Sequence, residues 1–249
     1  QVVEIKIVNR YVRGNIHLTK VDSEYPDNKL TGATFEVYKD SNANGKLDDG
    51  DELLGTLTEK EIGEYGMNDL FYGRYFVKET KAPEGFILDT GVYEVMIDTN
   101  GKTYEVENKA GVGFINDAMR GNLKIVKTSS DGKVKGFAFR ITGANGYDII
   151  LETNDKGEIF IDGLRIGDYT ISEVNNSASS MYVIPADKKA TVKLGSTTIV
   201  EMHNVLRDTP KTGDTTNLPL LYALAGLSAV GIAVCGVIGF KKKKKEDRN

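Results

Sequence analysis

The segment IVNRYVRGNIHLTK at residues 7–20 decides the fold, because it returns as FINDAMRGNLKIVK at residues 114–127. The two copies share an identical RGN, and an asparagine and the closing lysine keep their positions. Self-similarity at the spacing of one domain is the signature of a tandem repeat. A partial third copy, VEMHNVLRD at residues 200–208, ends the array. The sequence therefore predicts two successive domains of similar construction.

Within each repeat, short runs of alternating apolar and polar residues are separated by turn-forming dipeptides, namely Asn100-Gly101, Asp131-Gly132, Asn145-Gly146 and Lys156-Gly157. This pattern is typical of an antiparallel β-sandwich. We predict an all-β chain, with domain one at residues 10–117 and domain two at residues 118–207. By the same register, residues 1–9 are expected to be the last strand of a truncated upstream domain, to which Asn9 would belong.

Charge and cysteine content argue against a nucleic-acid-binding protein and against a disulfide-bonded β-rich part. The net charge is -4, and the excess of acidic residues lies in the β-rich part, which argues against nucleic acid as a partner. The only cysteine, Cys235, falls in a C-terminal apolar run, so the β-rich part cannot form a disulfide. If these domains are exported, they need another covalent staple.

The C-terminal region has the organisation of a membrane segment. Residues 218–240 form a run of 23 residues without a charge. As a helix, such a run is long enough to cross a bilayer core of ~30 Å at ~1.5 Å per residue. Five lysines begin the tail at residues 241–249, and basic residues favour the cytoplasmic side. We predict a transmembrane helix with the N-terminal part outside the cell.

A short motif lies in the linker at residues 208–217, just before this apolar run. It reads Thr209-Pro210-Lys211-Thr212-Gly213 and resembles the LPxTG sorting signal of Gram-positive surface proteins, with threonine where the family usually has leucine. The resemblance implies that a sortase cleaves between Thr212 and Gly213 and transfers the Thr212 carbonyl to peptidoglycan or to a pilin lysine. The alternative interpretation is an ordinary transmembrane anchor.

Three polar residues in each repeat fall on strand faces that are otherwise apolar. They are Lys20, Glu79 and Asn116 in domain one, and Lys127, Glu173 and Asn204 in domain two. Burial lowers the pKa of a lysine and raises that of a carboxyl group, so this placement favours a nucleophilic amine beside a protonated acid. The alternative is a lysine that snorkels to solvent at the end of its strand.

Two further motifs, GATFEVY at residues 32–38 and ETKAPEGF at residues 79–86, resemble the SpaA-like or CnaB-type pilin domains, which have a prealbumin-like, reverse immunoglobulin-like β-sandwich fold. Domain two departs from this pattern after Glu173. In that family a lysine and an asparagine condense into an intramolecular isopeptide bond with loss of ammonia, and a protonated glutamate donates to the amide oxygen. The resemblance implies bonds Lys20–Asn116, assisted by Glu79, and Lys127–Asn204, assisted by Glu173.

One rival for the domain-one bond remains open. Alternation in YEVEN places Asn108 on the same strand face as Tyr104 and Val106, so Asn108 is a second candidate partner for Lys20. The repeat register favours Asn116, because Asn9 and Asn116 precede their RG strands by the same interval.

The segment DSNANGKLDDGD at residues 40–51 has the spacing of a calcium-binding loop. The candidate ligand positions are Asp40, Asn42, Asn44, Lys46, Asp48 and Asp51. The alternative is a solvated turn, since Asp, Asn and Gly are each favoured in turns. His17 and His203 are expected on the surface, and no catalytic triad or phosphate-binding loop is evident in the sequence.

These features favour a non-enzymatic structural or adhesive protein, either a pilin subunit or an adhesin stalk, anchored to the cell wall and exposed at the cell surface. Its expected partners are a sortase, a covalent acceptor, and a host or matrix ligand bound by a region upstream of residue 1. Alternatively, the domains are a spacer for a wall-anchored enzyme whose catalytic module lies upstream, or a glycan-binding module. The segment around Lys29 only loosely resembles a pilin polymerisation motif, so we do not assign that role to Lys29.

Overall fold

The structure is a computed structural model that describes residues 9–208. Domain one contains nine strands, which are β1 (Arg13–Asp22), β2 (Thr34–Lys39), β3 (Glu52–Thr56), β4 (Thr58–Glu61), β5 (Glu64–Phe71), β6 (Gly73–Lys81), β7 (Val92–Ile97), β8 (Thr103–Glu105) and β9 (Phe114–Asn116). Domain two contains eight strands and one 3₁₀ turn (Ala144–Gly146). Its strands are β10 (Arg120–Ser129), β11 (Ala138–Thr142), β12 (Asp148–Glu152), β13 (Glu158–Arg165), β14 (Gly167–Val174), β15 (Tyr182–Val183), β16 (Lys188–Val192) and β17 (Thr197–Leu206).

Each domain is a sandwich of two sheets; one sheet has the same strand order in both domains, and the other differs at its two ends. In domain one the sheets run β4-β5-β1-β8, with β9 also paired to β1, and β3-β2-β6-β7. In domain two they run β13-β10-β17-β15 and β12-β11-β14-β16. The prediction of an all-β chain with two repeated domains is confirmed for the described residues. The predicted helix at residues 218–240 lies outside them.

The inward faces of the strands form an apolar core in each domain, as their alternation predicts. Fully buried core residues of domain one are Ile16, Leu18, Phe35, Val37, Val77, Ile97 and Phe114. Their counterparts in domain two are Leu123, Ile125, Phe139, Ile141, Ile171, Val192 and Met202. This interior surrounds the inward-pointing polar residues of each repeat.

The repeated RGN lies opposite a β-bulge, which interrupts the pairing between the first strand of each domain and its antiparallel neighbour. The bulge residues Asp69 and Gly163 on the facing strands have left-handed φ angles of 64° and 65°. Their backbone N–H groups each donate to the RGN asparagine, Asn15 or Asn122, at 3.1 Å. The glycine is required because a Cβ on Gly14 would lie 2.9 Å from the Lys102 carbonyl oxygen. The motif therefore fixes the register of the strand that carries the lysine.

The first and last strands of each domain pair in parallel, whereas the sequence pattern predicts antiparallel pairing throughout. In domain two, β10 and β17 pair over eight residues, from Asn122–Thr197 to Ser129–Asn204. In domain one the last strand is divided into β8 and β9, which pair with successive parts of β1. Parallel neighbours need a long crossover connection, here the chain of the whole domain, so local sequence patterns cannot reveal them.

An ionic cluster lies where the two domains meet, within a single compact unit that includes both. Arg165 of β13 donates to both oxygens of Asp22 at 2.6 and 2.8 Å, and it also pairs with Glu24 at 2.6 Å. The carboxyl group of Asp22 is almost completely buried. The two N–H···O bonds of such a bidentate pair add geometric specificity as well as energy.

Candidate functional site

Lys20 lies near the end of β1 with its side chain fully buried. Its Nζ donates to the carbonyl oxygen of Phe114 at 3.0 Å and lies 5.4 Å from the centre of the Phe114 ring. Burial lowers the pKa of Lys20 to about 8, although the negative charges of Glu79 and Asp89 oppose the shift. The unprotonated, nucleophilic form of this amine is therefore much more populated near neutral pH than that of an ordinary lysine.

Glu79 lies in β6 and faces the same interior. Its Oε2 accepts hydrogen bonds from the Asp89 backbone N–H and from Asn116 Nδ2, each at 2.8 Å. Its Oε1 is buried and has no hydrogen-bond partner among the described residues. Burial raises the pKa of Glu79, while the hydrogen bonds from Asn116 and Asp89 oppose the shift. The environment thus favours a carboxyl group that keeps its proton.

Asn116 completes the set at the end of β9. The parallel register pairs Lys20 with Phe114, so Asn116 lies two residues further along on the same face. Its Nδ2 donates to Glu79 and to the Ile87 carbonyl oxygen at 2.7 Å, and its buried Oδ1 has no partner in the described part of the chain. The lysine, the acid and the amide of domain one are therefore all buried in one interior, where the pKa of the amine is lowered and that of the acid is raised.

Domain two repeats the arrangement through its own register. Lys127 pairs with Met202 in the β10–β17 ladder, which places Asn204 two residues further along, as in domain one. Asn204 Nδ2 donates to Glu173 Oε1 at 2.6 Å. Burial lowers the pKa of Lys127 and raises that of Glu173. In both domains the glutamate contacts the amide nitrogen, whereas the family resemblance implied the amide oxygen.

The two lysines differ in their immediate contacts. Lys127 Nζ donates to the carbonyl oxygen of its own neighbour Thr128, and it lies 4.0 Å from the centre of the Phe137 ring. The centre of the Tyr182 ring lies 6.0 Å from Lys127 Nζ. Tyr182 belongs to the segment after Glu173, where domain two departs from the ETKAPEGF motif. Aromatic faces stabilise the charged ammonium, so Phe137 favours the protonated form of Lys127.

The model of the SpaA prealbumin-like fold domain matches residues 14–110 and again residues 121–205. The two matches together cover well over half of the chain. The chain belongs to the SpaA family. Each match includes a first strand with its lysine and a central strand with its glutamate.

Relatives of these SpaA domains include the trypsin-resistant surface T6 protein of Streptococcus pyogenes, which is 26% identical over 204 residues. That match covers 70% of this chain and 35% of the T6 protein, so the chain spans about a third of its curated relative. Among solved structures, the Bacillus anthracis TIE protein is 25% identical with a TM-score of 0.59, over 78% of this chain and 34% of that one. GBS52, the minor pilin of Streptococcus agalactiae, is 19% identical over 80% of this chain and 98% of its own, with a TM-score of 0.37.

Asn108, the rival candidate in the first SpaA domain, is bound elsewhere. Its Nδ2 donates to Asp89 Oδ2 at 2.7 Å and to the Ile115 carbonyl oxygen at 2.8 Å, and its Oδ1 accepts from the Ile115 N–H at 2.6 Å. The side chain is half-buried, whereas Asn116 is buried and donates to Glu79. The geometry therefore favours Asn116 over Asn108 as the partner of Lys20.

Asp89 is the residue of this site that sequence reasoning missed. Its carboxylate accepts from Asn108, from the Gly91 N–H at 2.6 Å and from the Tyr93 hydroxyl at 2.9 Å. Burial acts in the opposite direction, but these hydrogen bonds hold the pKa of Asp89 below its usual value. No pattern in ILDTG marks this aspartate, because its link to the site runs through Asn108, which lies 19 residues further along the chain.

The predicted calcium loop of the first SpaA domain is an internally hydrogen-bonded turn. Asp40 accepts from the Asn44 and Gly45 N–H groups, and Asp51 accepts from those of Ser41 and Asp48. The six predicted calcium-ligand positions in this loop are Asp40, Asn42, Asn44, Lys46, Asp48 and Asp51. The Arg74 guanidinium lies 3.5 Å from Asp40, where it opposes a bound cation. Within residues 9–208, no group of three His, Cys, Asp or Glu side chains is placed to hold a metal ion.

The two histidines, which we expected on the surface, lie outside the two sites, with His17 half-buried and His203 exposed. His17 is flanked by Glu64 at 2.9 Å and Glu105 at 2.7 Å, a pair of contacts that the sequence did not reveal. His203 contacts the Thr128 hydroxyl at 2.8 Å. The predicted sorting motif, from Thr209 to Gly213, lies outside the described residues. No helix within residues 9–208 has the length and apolar character needed to span a bilayer.

Proposed function

We propose that the chain is the wall-anchored part of a pilin subunit or adhesin on a Gram-positive cell surface, and that each SpaA domain closes an isopeptide bond between its first and last strands. The bonds are Lys20–Asn116 and Lys127–Asn204. The observation that carries the proposal is the burial of a lysine, a glutamate and an asparagine together, in the same register, in both domains. The role is structural, and the only chemistry is one self-modification in each domain.

The reaction follows from the contacts around Asn116. The unprotonated Nζ of Lys20 attacks Cγ of Asn116, and a new Nζ–Cγ bond forms. Glu79 delivers its proton to Nδ2, the Cγ–Nδ2 bond breaks, and ammonia leaves while the carboxylate takes a proton from Nζ. An amine and a primary amide thus become a secondary amide and ammonia, and Glu79 is regenerated.

The surroundings of Asn116 suit this chemistry in two ways. Lys20, Glu79 and Asn116 are all buried, which limits the access of water to the amide carbon. Asn116 also lines a cavity of about 330 Å³ together with Ile87, Asp89, Tyr93 and Asn108. A water molecule occupies roughly 30 Å³ in the liquid, so this cavity offers the released ammonia a way out.

The position of the proposed bonds gives them a mechanical purpose. Each bond joins the strands at which the chain enters and leaves its domain, and these strands lie side by side. A pulling force is then carried by a covalent bond instead of strand hydrogen bonds with a net value of about 1 kcal/mol each. Since the β-rich part contains no cysteine, these bonds replace disulfides as its covalent staples.

Anchoring completes the proposal. The TPKTG motif at residues 209–213, the apolar run at 218–240 and the basic tail at 241–249 stand in the order that a sortase substrate requires. Sortase would join Thr212 to peptidoglycan or to a lysine of another pilin subunit. The name of the T6 relative, a surface protein, supports this location. A host or matrix ligand would be bound by an upstream region.

Mass spectrometry of the intact chain and of its proteolytic peptides tests the crosslinks. We expect the wild-type chain to be lighter than its sequence by two molecules of ammonia, with branched peptides that join Lys20 to Asn116 and Lys127 to Asn204. An unmodified mass would refute the crosslinks. Wall anchoring is tested separately, because Thr212→Ala should shift the chain from the wall fraction to the membrane fraction without changing either crosslink.

A further inference from the structure

The strand that presents Asn116 is short. β9 contains only the residues from Phe114 to Asn116, and among the described strands it pairs with β1 alone. Alternate backbone groups of a strand point to opposite sides. The Asn116 carbonyl faces the β1 side, where it accepts from the Ser23 N–H at 3.1 Å. The N–H and C=O groups of Ile115 therefore point away from β1.

The side chain of Asn108 satisfies both of these groups of Ile115. Its Oδ1 accepts from the N–H, and its Nδ2 donates to the carbonyl oxygen. One amide side chain thus replaces the neighbouring strand that β9 lacks. It thereby fixes the backbone one residue before the proposed reacting amide.

Asn108 also reaches the segment that holds the other side of this amide. Its Nδ2 donates to Asp89, whose backbone N–H donates to Glu79 Oε2, the atom that accepts from Asn116 Nδ2. The Ile87 carbonyl oxygen, two residues before Asp89, also accepts a hydrogen bond from Asn116 Nδ2. Asn108 therefore joins the two backbone segments between which the Asn116 amide is held.

We propose that Asn108 is a positioning residue for the domain-one crosslink, which holds the amide of Asn116 against Lys20 and Glu79 and forms no bond itself. The inference rests on the proposed crosslinking function. Domain two needs no such residue, because β17 is ten residues long and lies between β10 and β15. The rate of bond formation should therefore depend on Asn108 in domain one only.

The test measures both bonds in the same molecule. The full chain is made by cell-free translation, samples are quenched in acidic denaturant at increasing times, and the two branched peptides are quantified after digestion. We expect Asn108→Ala to slow the Lys20–Asn116 bond by about tenfold, as small displacements of reacting groups do, and to leave the Lys127–Asn204 bond unchanged. The matched control is Asn68→Ala, an exposed amide of the same domain that binds only Lys60.

A second variant separates positioning from a loss of folding. Asn108→Asp keeps the acceptor for the Ile115 N–H but places a carboxylate beside Asp89. This negative charge should shift the pH profile of the domain-one rate upward, because it favours the protonated forms of both Lys20 and Glu79. A variant that failed to fold would form no domain-one bond at any pH, so a shifted profile shows that the domain folds with residue 108 near the reacting groups.

The possible outcomes are distinct. An unchanged domain-one rate in Asn108→Ala, an unmoved pH profile in Asn108→Asp, or a wild-type branched peptide that joins Lys20 to Asn108 would each overturn the inference and leave the crosslinking proposal standing. If wild-type chains formed neither bond, the proposed function itself would fail. A slower domain-one bond with an unchanged domain-two bond supports both.

Discussion

The two SpaA domains place the same three residues in the same register but surround them differently. In domain one, the Asn116 amide is held by Glu79 and the Ile87 carbonyl, on a short strand supported by the Asn108 side chain. In domain two, Asn204 belongs to a continuous ten-residue strand, and within residues 9–208 its side-chain amide donates to Glu173 alone. The comparison teaches that strand register assembles the triad, while the neighbouring segments can vary.

The lysines extend the comparison. Lys20 has a carbonyl oxygen of the opposite strand as its acceptor, whereas Lys127 contacts the carbonyl of its own strand and the face of Phe137. Both pKa values are lowered by burial. We infer that the buried environment creates the nucleophile, and that the polar contacts adjust how readily it reacts.

The largest expected effect is the loss of one bond at a time. Glu79→Gln should abolish the Lys20–Asn116 bond and leave the domain-two bond intact, and Glu173→Gln should do the converse. Removing a general acid costs about 10²- to 10⁴-fold in rate, which is enough to prevent the reaction on the time scale of expression. Peptide mapping measures both bonds. The control is Glu84→Gln, an exposed glutamate of the same ETKAPEGF motif, and loss of the bond in this control would contradict the assignment.

The second effect concerns stability and should be nearly equal in the two domains. A crosslink that closes a loop of roughly 80 to 100 residues restricts the unfolded chain and contributes about 4 to 5 kcal/mol by loop-entropy estimates. Each Glu→Gln variant should therefore lower the free energy of unfolding of its own domain by a similar amount. Denaturant titration of each variant checks this. A much larger loss in one domain would indicate that its crosslink also relieves strain in the folded state.

The smallest effect is the pH dependence of crosslinking in domain one. The reactive form has Lys20 unprotonated and Glu79 protonated, so its population rises with pH below both pKa values. It stays level between them and falls above both, because the amine is then already free while Glu79 continues to lose its proton. Initial rates measured from pH 5 to pH 10 should give this bell-shaped profile. A rate that keeps rising above pH 9 would exclude Glu79 as the acid.

Much of the crosslinking site was predictable from residue order alone. Alternation along GNIHLTK places Lys20 inward after Ile16 and Leu18, and the same rule applies to Glu79 and Asn116, all of which are buried in the structure. The contribution of Asn108 was not predictable in this way. Its strand alternation points it inward, but the chain leaves the β1 ladder after Val106 and returns only at Phe114.

The segment at residues 40–51 shows that one spacing of residues can fit two different structures. Its spacing of Asp and Asn residues satisfies a metal-binding pattern, yet the structure directs these side chains to the backbone of their own turn and places Arg74 beside Asp40. Both arrangements draw on the same residue types. Spacing alone does not distinguish them, and calcium binding by this loop stays a prediction.

The sequence by itself determined the all-β class, the two repeats and the inward lysine, glutamate and asparagine of each, because alternation and turn chemistry are local properties of the chain. Only the tertiary structure decided that the first and last strands lie parallel, which asparagine meets Lys20, and that the glutamate contacts the amide nitrogen. These features depend on contacts between residues that are roughly 40 to 100 positions apart, and such contacts are set by the packing of the two sheets around a shared core.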